Sequence, residues 1–286
     1  MDKIKDILVG KGAFETVSYA FVSPKAFDLL NLSEDSALRR TVDILNPIGA
    51  DMSVMRTNLV YSMLKTIESN FKRGNKAGRF FEIANTYLPK SLPLVELPEE
   101  KAKLSIGFTI KAAIDDIFEV FGIEASYVRA NETFLHPGRS AYVYAEDKKL
   151  GFIGEVHPDV AGKLDVDGRI YVVELDAEFI AEKAEKVKGF KAFSRYQGMQ
   201  RDLALIAPDA LPAADIVSVI KKNGSGILEK VEVFDVYKGG QIAKDKKSVA
   251  VSLTFRDLSK TLKDDEVNAD IAKILKGLSE INVALR

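Results

Sequence analysis

An aspartate, a tyrosine and a serine lie on two neighbouring predicted strands near the end of the chain. Asp235 and Tyr237 are two residues apart on one strand and therefore share a face of the sheet. Ser248 begins the next strand. A carboxylate acceptor, an aromatic ring and nearby positive charge are what a single-stranded RNA base requires for recognition. The residues therefore predict a site for one base, with the alternative that Tyr237 packs on the sheet and Asp235 ends the strand.

Smaller and basic residues around this pair are consistent with the same chemistry. Ala204, on an earlier strand of the same predicted domain, is small enough to let a base approach closely. The candidate contacts for phosphates are Lys238, Lys246, Lys247 and Arg256.

Other groups that carry chemistry elsewhere do not form a catalytic pattern here. The two histidines, His136 and His157, each precede a proline, which favours a loop-shaping role over a catalytic triad or a histidine-rich metal site. The acidic run 264–266 suits the first turn of a helix, where carboxylates stabilise the helix dipole. We therefore predict no catalytic residue and no metal ligand.

Composition limits the class of protein. The chain has 286 residues, no cysteine and a net charge of −1, so disulfides, thiolate zinc sites and a cysteine nucleophile are excluded. No apolar run approaches the roughly 20 residues of a membrane span, and the charged N-terminus does not resemble a signal peptide. Residues 191–286 carry 16 basic against 13 acidic side chains, a weak indication of a polyanionic partner.

Periodicity predicts two domains, 1–188 and 191–286, joined by a charged helix and Gly189. The first domain is predicted as an antiparallel sheet covered by helices, an α+β architecture. Its predicted strands are 15–22, 41–45, 79–87, 104–109, 141–145, 150–155 and 170–175. Its predicted helices are an amphipathic N-terminal helix that Gly10 and Gly12 end, 23–30, 53–73, 112–121 and 177–186. The second domain reads strand, helix, strand, strand, helix, strand, over 201–207, 212–222, 231–237, 248–255, 264–278 and 283–285. That order is the ferredoxin-like βαββαβ pattern.

A series of motifs resembles the β-subunit family of bacterial phenylalanyl-tRNA synthetases, in order and across essentially the whole chain. The motifs are 46–58 (NPIGADMSVMRTN), 80–84 (FFEIA), 136–140 (HPGRS), 154–158 (GEVHP), 201–204 (RDLA), 234–237 (FDVY), 247–248 (KS), 253–257 (LTFRD) and 265–267 (DEV). The chain is similar to the C-terminal part of that subunit.

The resemblance implies a class II synthetase-like domain without catalysis, followed by a ferredoxin-fold anticodon-binding domain. In the family an alanine, an aspartate, a tyrosine and a serine contact the guanine at the first anticodon position. These residues match Ala204, Asp235, Tyr237 and Ser248. The implied partners are tRNA-Phe and the catalytic α subunit. ATP and Mg2+ belong to the holoenzyme, no cofactor to this part, and the implied location is the cytoplasm, without a membrane.

Loss of catalysis also has a basis in the residues. Class II active sites need an arginine two residues before a glutamate on one strand. Arg79 and Glu82 are three apart and should point to opposite faces. Between Phe108 and Ala112 the chain is shorter than is usual in the family. Two alternatives stay open, which are an enzyme that acts alone and a protein-interaction module without RNA binding.

Overall fold

The computed structural model describes residues 1–107, 112–183, 194–240 and 242–286. The chain divides into two compact units, Met1–Lys188 and Gly189–Arg286. The short connection predicted between Phe108 and Ala112 lies mostly outside the described residues.

The first unit is built on a mixed sheet between helices. Its strands are β1 (Phe14–Glu15), β2 (Phe21–Val22), β3 (Val54–Met55), β4 (Phe80–Leu88), β5 (Glu99–Gly107), β6 (Ser126–Arg129), β7 (Leu135–Ala145), β8 (Lys148–Val156) and β9 (Tyr171–Asp176). Its helices are α1 (Asp2–Gly10), α2 (Ala26–Leu29), α3 (Val60–Lys72), α4 (Ala112–Phe121), α5 (Pro158–Lys163) and α6 (Ala177–Lys183). Within the described residues, seven strands form one sheet in the order β1-β4-β5-β9-β8-β7-β6, and β2 pairs with β3 separately. All neighbours in the large sheet are antiparallel except β1 and β4.

Both faces of the large sheet are covered. One face packs against α3, where Met63, Leu64 and Ile67 are fully buried, and the other packs against α1, α4 and α6. The inner strands therefore alternate between two hydrophobic cores, whereas the edge strands β1 and β6 are largely exposed. Phe80 lies in the first core and Phe81 in the second.

A row of polar side chains crosses the face that α3 covers. Glu82, Ser105 and Glu174 are register partners on β4, β5 and β9, and all three are buried. Glu82 accepts hydrogen bonds from the Ser18 hydroxyl and from Arg56 Nη1, the latter at 3.2 Å. Buried charges are stable only when paired and hydrogen-bonded in this way.

Glu174 is held by the backbone at the start of α3. The Leu59 amide donates a hydrogen bond of 2.7 Å to its Oε2. Burial raises the pKa of the Glu174 carboxyl, because a charged carboxylate loses hydration, although the Leu59 amide and the Lys103 ammonium act in the opposite direction.

The second unit has one sheet with helices on one side. Its elements are β10 (Met199–Pro208), α7 (Ala213–Asn223), β11 (Leu228–Tyr237), β12 (Lys246–Phe255), α8 (Asp264–Ser279) and β13 (Ala284–Leu285). The sheet order is β11-β12-β10-β13, and every neighbouring pair is antiparallel. The α+β class and the βαββαβ order predicted from the sequence are confirmed.

Several predicted elements of the first unit differ from the structure. The helix predicted over 53–73 begins only at Val60, because the Asn58 side chain accepts a hydrogen bond from the Val60 amide and Val54–Met55 form a strand instead. The strand predicted over 15–22 is divided into β1 and β2, and the strand predicted over 41–45 is reduced to one bridge between Asp43 and Val54. The predictions missed β6 and α5, and the end of the helix predicted over 177–186 lies outside the described residues.

We expect the pH dependence of stability to report the buried carboxyl. A raised pKa in the folded state means that the free energy of unfolding falls as pH rises from the unfolded pKa, about 4.3, through the folded pKa. Replacing Glu174 by Gln removes that loss. The variant should gain stability relative to the original chain between acidic and neutral pH, by about 1.4 kcal/mol for each unit by which folding raises the pKa.

Urea unfolding followed by circular dichroism between pH 4 and pH 8 measures this difference. Glu119→Gln, at an exposed position of α4, controls for removing one carboxylate. If the free energies of unfolding of Glu174→Gln and the original chain differed by the same amount at every pH, the expectation would be contradicted.

Candidate nucleic-acid interface

The predicted site residues lie in two rows that cross three strands of the second unit. Ala204 on β10, Ala250 on β12 and Asp235 on β11 are register partners, and so are Ile206, Ser248 and Tyr237. Because neighbouring strands are about 4.8 Å apart, Ala204 and Asp235 are separated by about 10 Å across the sheet. The structure thus brings Ala204, Asp235, Tyr237 and Ser248 into one small area.

The rows lie on the face of the sheet that α7 and α8 do not cover. Every second residue of β12, from Val249 to Phe255, is fully buried in the core of this unit. Alternation therefore places Ser248, Ala250 and Ser252 on the opposite face. We call the surface formed by these three residues, Ala204, Ile206, Asp235 and Tyr237 the open face.

A β-bulge on the edge strand β11 brings Asp235 and Tyr237 to the open face. Val233 pairs with Val251, a core position, whereas Asp235 pairs with Ala250, an open-face position. The residue between them, Phe234, is the extra residue of the bulge and is 60% exposed. A bulge of this kind shifts the alternation of a strand by one residue. The sequence analysis did not predict this bulge at Phe234, although an aromatic residue in an otherwise alternating strand was the available signal.

The ring of Tyr237 is positioned by a glycine. A β-carbon built on Gly239 would lie 2.0 Å from the Tyr237 hydroxyl oxygen and 2.3 Å from its Cζ atom, so the ring occupies the space that a side chain at position 239 would need. The Tyr237 residue remains 44% exposed, whereas Ser248 beside it is 5% exposed. The tyrosine therefore offers an accessible ring in a restricted position.

The four candidate phosphate contacts are not equivalent. Lys238 and Lys246 are exposed near the open-face rows, although Lys238 forms an ion pair with Asp209, which lowers the pKa of that carboxyl. Lys247 is buried on the other face of β12, where its Nζ donates to the Asp209 carbonyl at 2.9 Å. Arg256 follows the far end of β12, about 26 Å along the strand from Ser248, and its Nε donates to Glu229 at 2.8 Å. Lys238 and Lys246 are thus the better-placed pair.

The residues compared with a class II active site lie on opposite sides of the first sheet. Arg79 donates to the carbonyl of Lys11 next to α1, whereas Glu82 bonds Ser18 and Arg56 on the α3 side. They do not converge on a common space.

The two histidines contact their own backbone. His136 Nδ1 accepts from the Gly138 amide at 3.0 Å, and His157 Nδ1 accepts from the Asp159 amide at 3.2 Å, which caps α5. In the part of the chain that the structure describes, no group of three or more His, Asp or Glu side chains could hold a metal ion. Over the same residues, no helix is both long and apolar enough to cross a membrane.

Comparison with known protein families matches both units. Residues 1–177 match the family described as "Phenylalanyl tRNA synthetase beta chain CLM domain". Residues 194–286 match the "Ferredoxin-fold anticodon binding domain". This chain belongs to the phenylalanyl-tRNA synthetase beta chain family.

Individual relatives share this assignment. The chain is 40% identical over 287 residues to the phenylalanine–tRNA ligase beta subunit of Clostridium tetani, with 97% of this chain and 36% of the relative covered. It is 38% identical to the same subunit of Clostridium acetobutylicum, with 98% and 36% covered. The chain therefore spans about a third of the length of these relatives.

Among solved structures, pyrrolysyl-tRNA synthetase from Desulfitobacterium hafniense is similar with a TM-score of 0.49 and 16% identity. The match covers 63% of this chain and 66% of that one.

A methyl group at position 239 should displace the tyrosine ring. We expect Gly239→Ala to shift the NMR signals of the Tyr237 ring, because the new β-carbon would occupy the place of the hydroxyl. Gly240→Ala is the matched control, since no atom lies within 4 Å of its β-carbon. Comparison with a Tyr237→Phe spectrum assigns the ring signals. Unchanged signals in both alanine variants would show that the ring does not lie over Gly239.

Proposed function

We propose that this chain forms part of the β subunit of phenylalanine–tRNA ligase and binds the anticodon of tRNA-Phe on the open face of its second unit. We also propose that the first unit supports assembly with the catalytic α subunit during ATP-dependent charging of the tRNA. The observation that carries the RNA proposal is the arrangement of Asp235, Tyr237 and Ser248, with Ala204 across the sheet.

The chemistry of the four residues suits one flipped-out base. The exposed ring of Tyr237 offers a stacking surface, and the Asp235 carboxylate accepts hydrogen bonds from amino or imino groups. Such donors are on the Watson–Crick edge of guanine. The side chains of Ala204 and Ser248 are small, so they leave space for a planar base to lie close to the sheet. The match of this unit to an anticodon-binding domain supports the same conclusion.

Catalysis is proposed to belong to the α subunit. Arg79 and Glu82 are held apart by separate hydrogen bonds, so they do not supply the cationic site that stabilises phosphoryl charge during adenylation. ATP and Mg2+ would then be bound by the holoenzyme outside this chain, with no catalytic residue here. The proposed location is the cytoplasm, where tRNA is charged.

Removing the aromatic ring should weaken RNA binding. We expect Tyr237→Ala to reduce the affinity for a tRNA-Phe anticodon stem-loop by about 1–3 kcal/mol, or about 5- to 150-fold, because one base loses its stacking partner. Fluorescence anisotropy with a labelled stem-loop measures the change. Tyr237→Phe should retain most of the affinity, since the ring remains.

A matched tyrosine separates stacking from general effects. Tyr196 is also exposed in the second unit but is outside the open face, so Tyr196→Ala should leave the affinity unchanged. Equal affinity of the original chain and Tyr237→Ala would refute the role of Tyr237. No binding of the stem-loop by the original chain would favour the protein-interaction alternative.

The salt dependence of binding should identify the phosphate contacts. Each cation that neutralises a phosphate of single-stranded RNA adds about 0.7 to the slope of log affinity against log salt concentration. We expect Lys238→Met and Lys246→Met each to reduce the slope by about that amount. Arg256→Met should not, because its guanidinium lies at the far end of β12, about 26 Å along the strand from Ser248. A slope that only Arg256→Met reduces would reverse this assignment.

A further inference from the structure

A cavity of about 340 Å³ lies in the first unit, beside the start of α3. Its walls come from three strands of the large sheet, through Lys103 on β5, Phe152 on β8 and Glu174 on β9. Its volume is at the lower end of the range for small-molecule sites. None of these residues has a part in the anticodon proposal, which concerns the second unit.

The cavity is lined by two basic and two acidic side chains. Lys103 and Lys149 provide ammonium groups, and Glu132 and Glu174 provide carboxyl groups. Lys149 is already engaged, because its Nζ lies 3.7 Å from Glu132 Oε1 and 3.4 Å from the centre of the Tyr142 ring. The groups left to meet a ligand are therefore Lys103 and Glu174.

These two groups differ from ordinary surface charges. The Glu174 residue is buried, and its Oε2 is fixed by the Leu59 amide at 2.7 Å. The Lys103 ammonium has no hydrogen bond or ion pair within the described residues, although its charge acts on Glu174 through space. A cation and a carboxyl group without a direct bond between them, on adjacent strands, can each receive a group of opposite charge.

The remaining walls are mainly apolar, with Ser36 and Asn58 as the polar exceptions. Phe134 and Phe152 pack edge to face with ring centres 5.2 Å apart, and both line the cavity. Gly151 brings two backbones together at the floor, since a β-carbon there would lie 1.9 Å from the Glu174 carbonyl oxygen. The position of the Glu174 backbone is thus fixed by close packing with β8.

We propose that this cavity binds a small zwitterion with an apolar body, of the α-amino acid class. The ligand carboxylate would pair with Lys103, its ammonium group would pair with Glu174, and its side chain would contact Phe134 and Phe152. A simple anion would satisfy Lys103 but face Glu174, and a simple cation would satisfy Glu174 but face Lys103. A zwitterion satisfies both groups.

Calorimetric titration of the 286-residue chain tests the proposal with defined probes. L-phenylalanine and L-leucine carry both charged groups, 3-phenylpropionate lacks the amine, and 2-phenylethylamine lacks the carboxylate. We expect at least one of the two amino acids to bind, and 3-phenylpropionate and 2-phenylethylamine to bind at least tenfold more weakly than it does. No heat from either amino acid at millimolar concentration would overturn the proposal.

Two variants locate the charged groups. Lys103→Met should reduce the affinity for the amino acid at least tenfold and leave the affinity for 2-phenylethylamine unchanged. Glu174→Gln should reduce the affinity for the amino acid and leave the affinity for 3-phenylpropionate unchanged. Lys148→Met is the matched control, because Lys148 pairs with Asp176 and does not line the cavity. Thermal unfolding checks that each variant is folded. Equal amino acid affinities of the original chain and folded Lys103→Met would contradict the assigned site, whatever the second unit does with RNA.

Discussion

The two sheets of this protein are governed by one constraint, which is how many of their faces are covered by helices. In the first unit both faces are covered, so the inner strands must supply apolar side chains in both directions, as Phe80 and Phe81 do. In the second unit only one face is covered, so Val249 and Val251 are buried and Ser248 and Ala250 are free to be polar or small. Only the second sheet, among the described residues, therefore has a helix-free face that could contact a large ligand such as RNA.

A β-bulge in the edge strand of the second sheet determines which side chains face away from the helices. Without the bulge at Phe234, regular alternation from Val233 would place Asp235 and Tyr237 on the helix-covered face. The helix-side positions Val233 and Val236 of this edge strand are 37% and 47% exposed, so the bulge decides the direction of the two side chains and not their hydration. It places the carboxylate and the ring opposite Ala250 and Ser248. The bulge is therefore a requirement of the candidate site and not an irregularity of the strand.

The sequence was a better guide to the second unit than to the first, for physical reasons. Alternating strands that bury one face have an unambiguous pattern, and β10, β11 and β12 begin within about three residues of the predicted positions. In the first unit, the four-residue period of Met55, Leu59 and Met63 predicts one continuous helix over 53–73. The helix instead begins at Val60, whose amide donates a hydrogen bond to the Asn58 side chain. Spacing predicted that Asp235 and Tyr237 share a face, but neither the bulge nor the burial of Lys247 could be derived from spacing.

The polar rows of the two sheets show how burial changes the use of similar residues. Glu82, Ser105 and Glu174 form a row beneath α3, and the two carboxyls are bonded by Arg56, Ser18 and the Leu59 amide. Glu82 forms a buried ion pair with Arg56, so replacing either residue would leave the other charge without its partner, at a cost of about 3–5 kcal/mol. Asp235 is exposed on a face without helices, so its replacement affects the unfolding energy much less. The carboxylate of Asp235 is therefore accessible to a ligand, whereas Glu82 and Glu174 are held by contacts within the fold. Glu174 belongs to the covered row and also lines the cavity, so the carboxyl that the Leu59 amide holds is the one that the proposed ligand would contact.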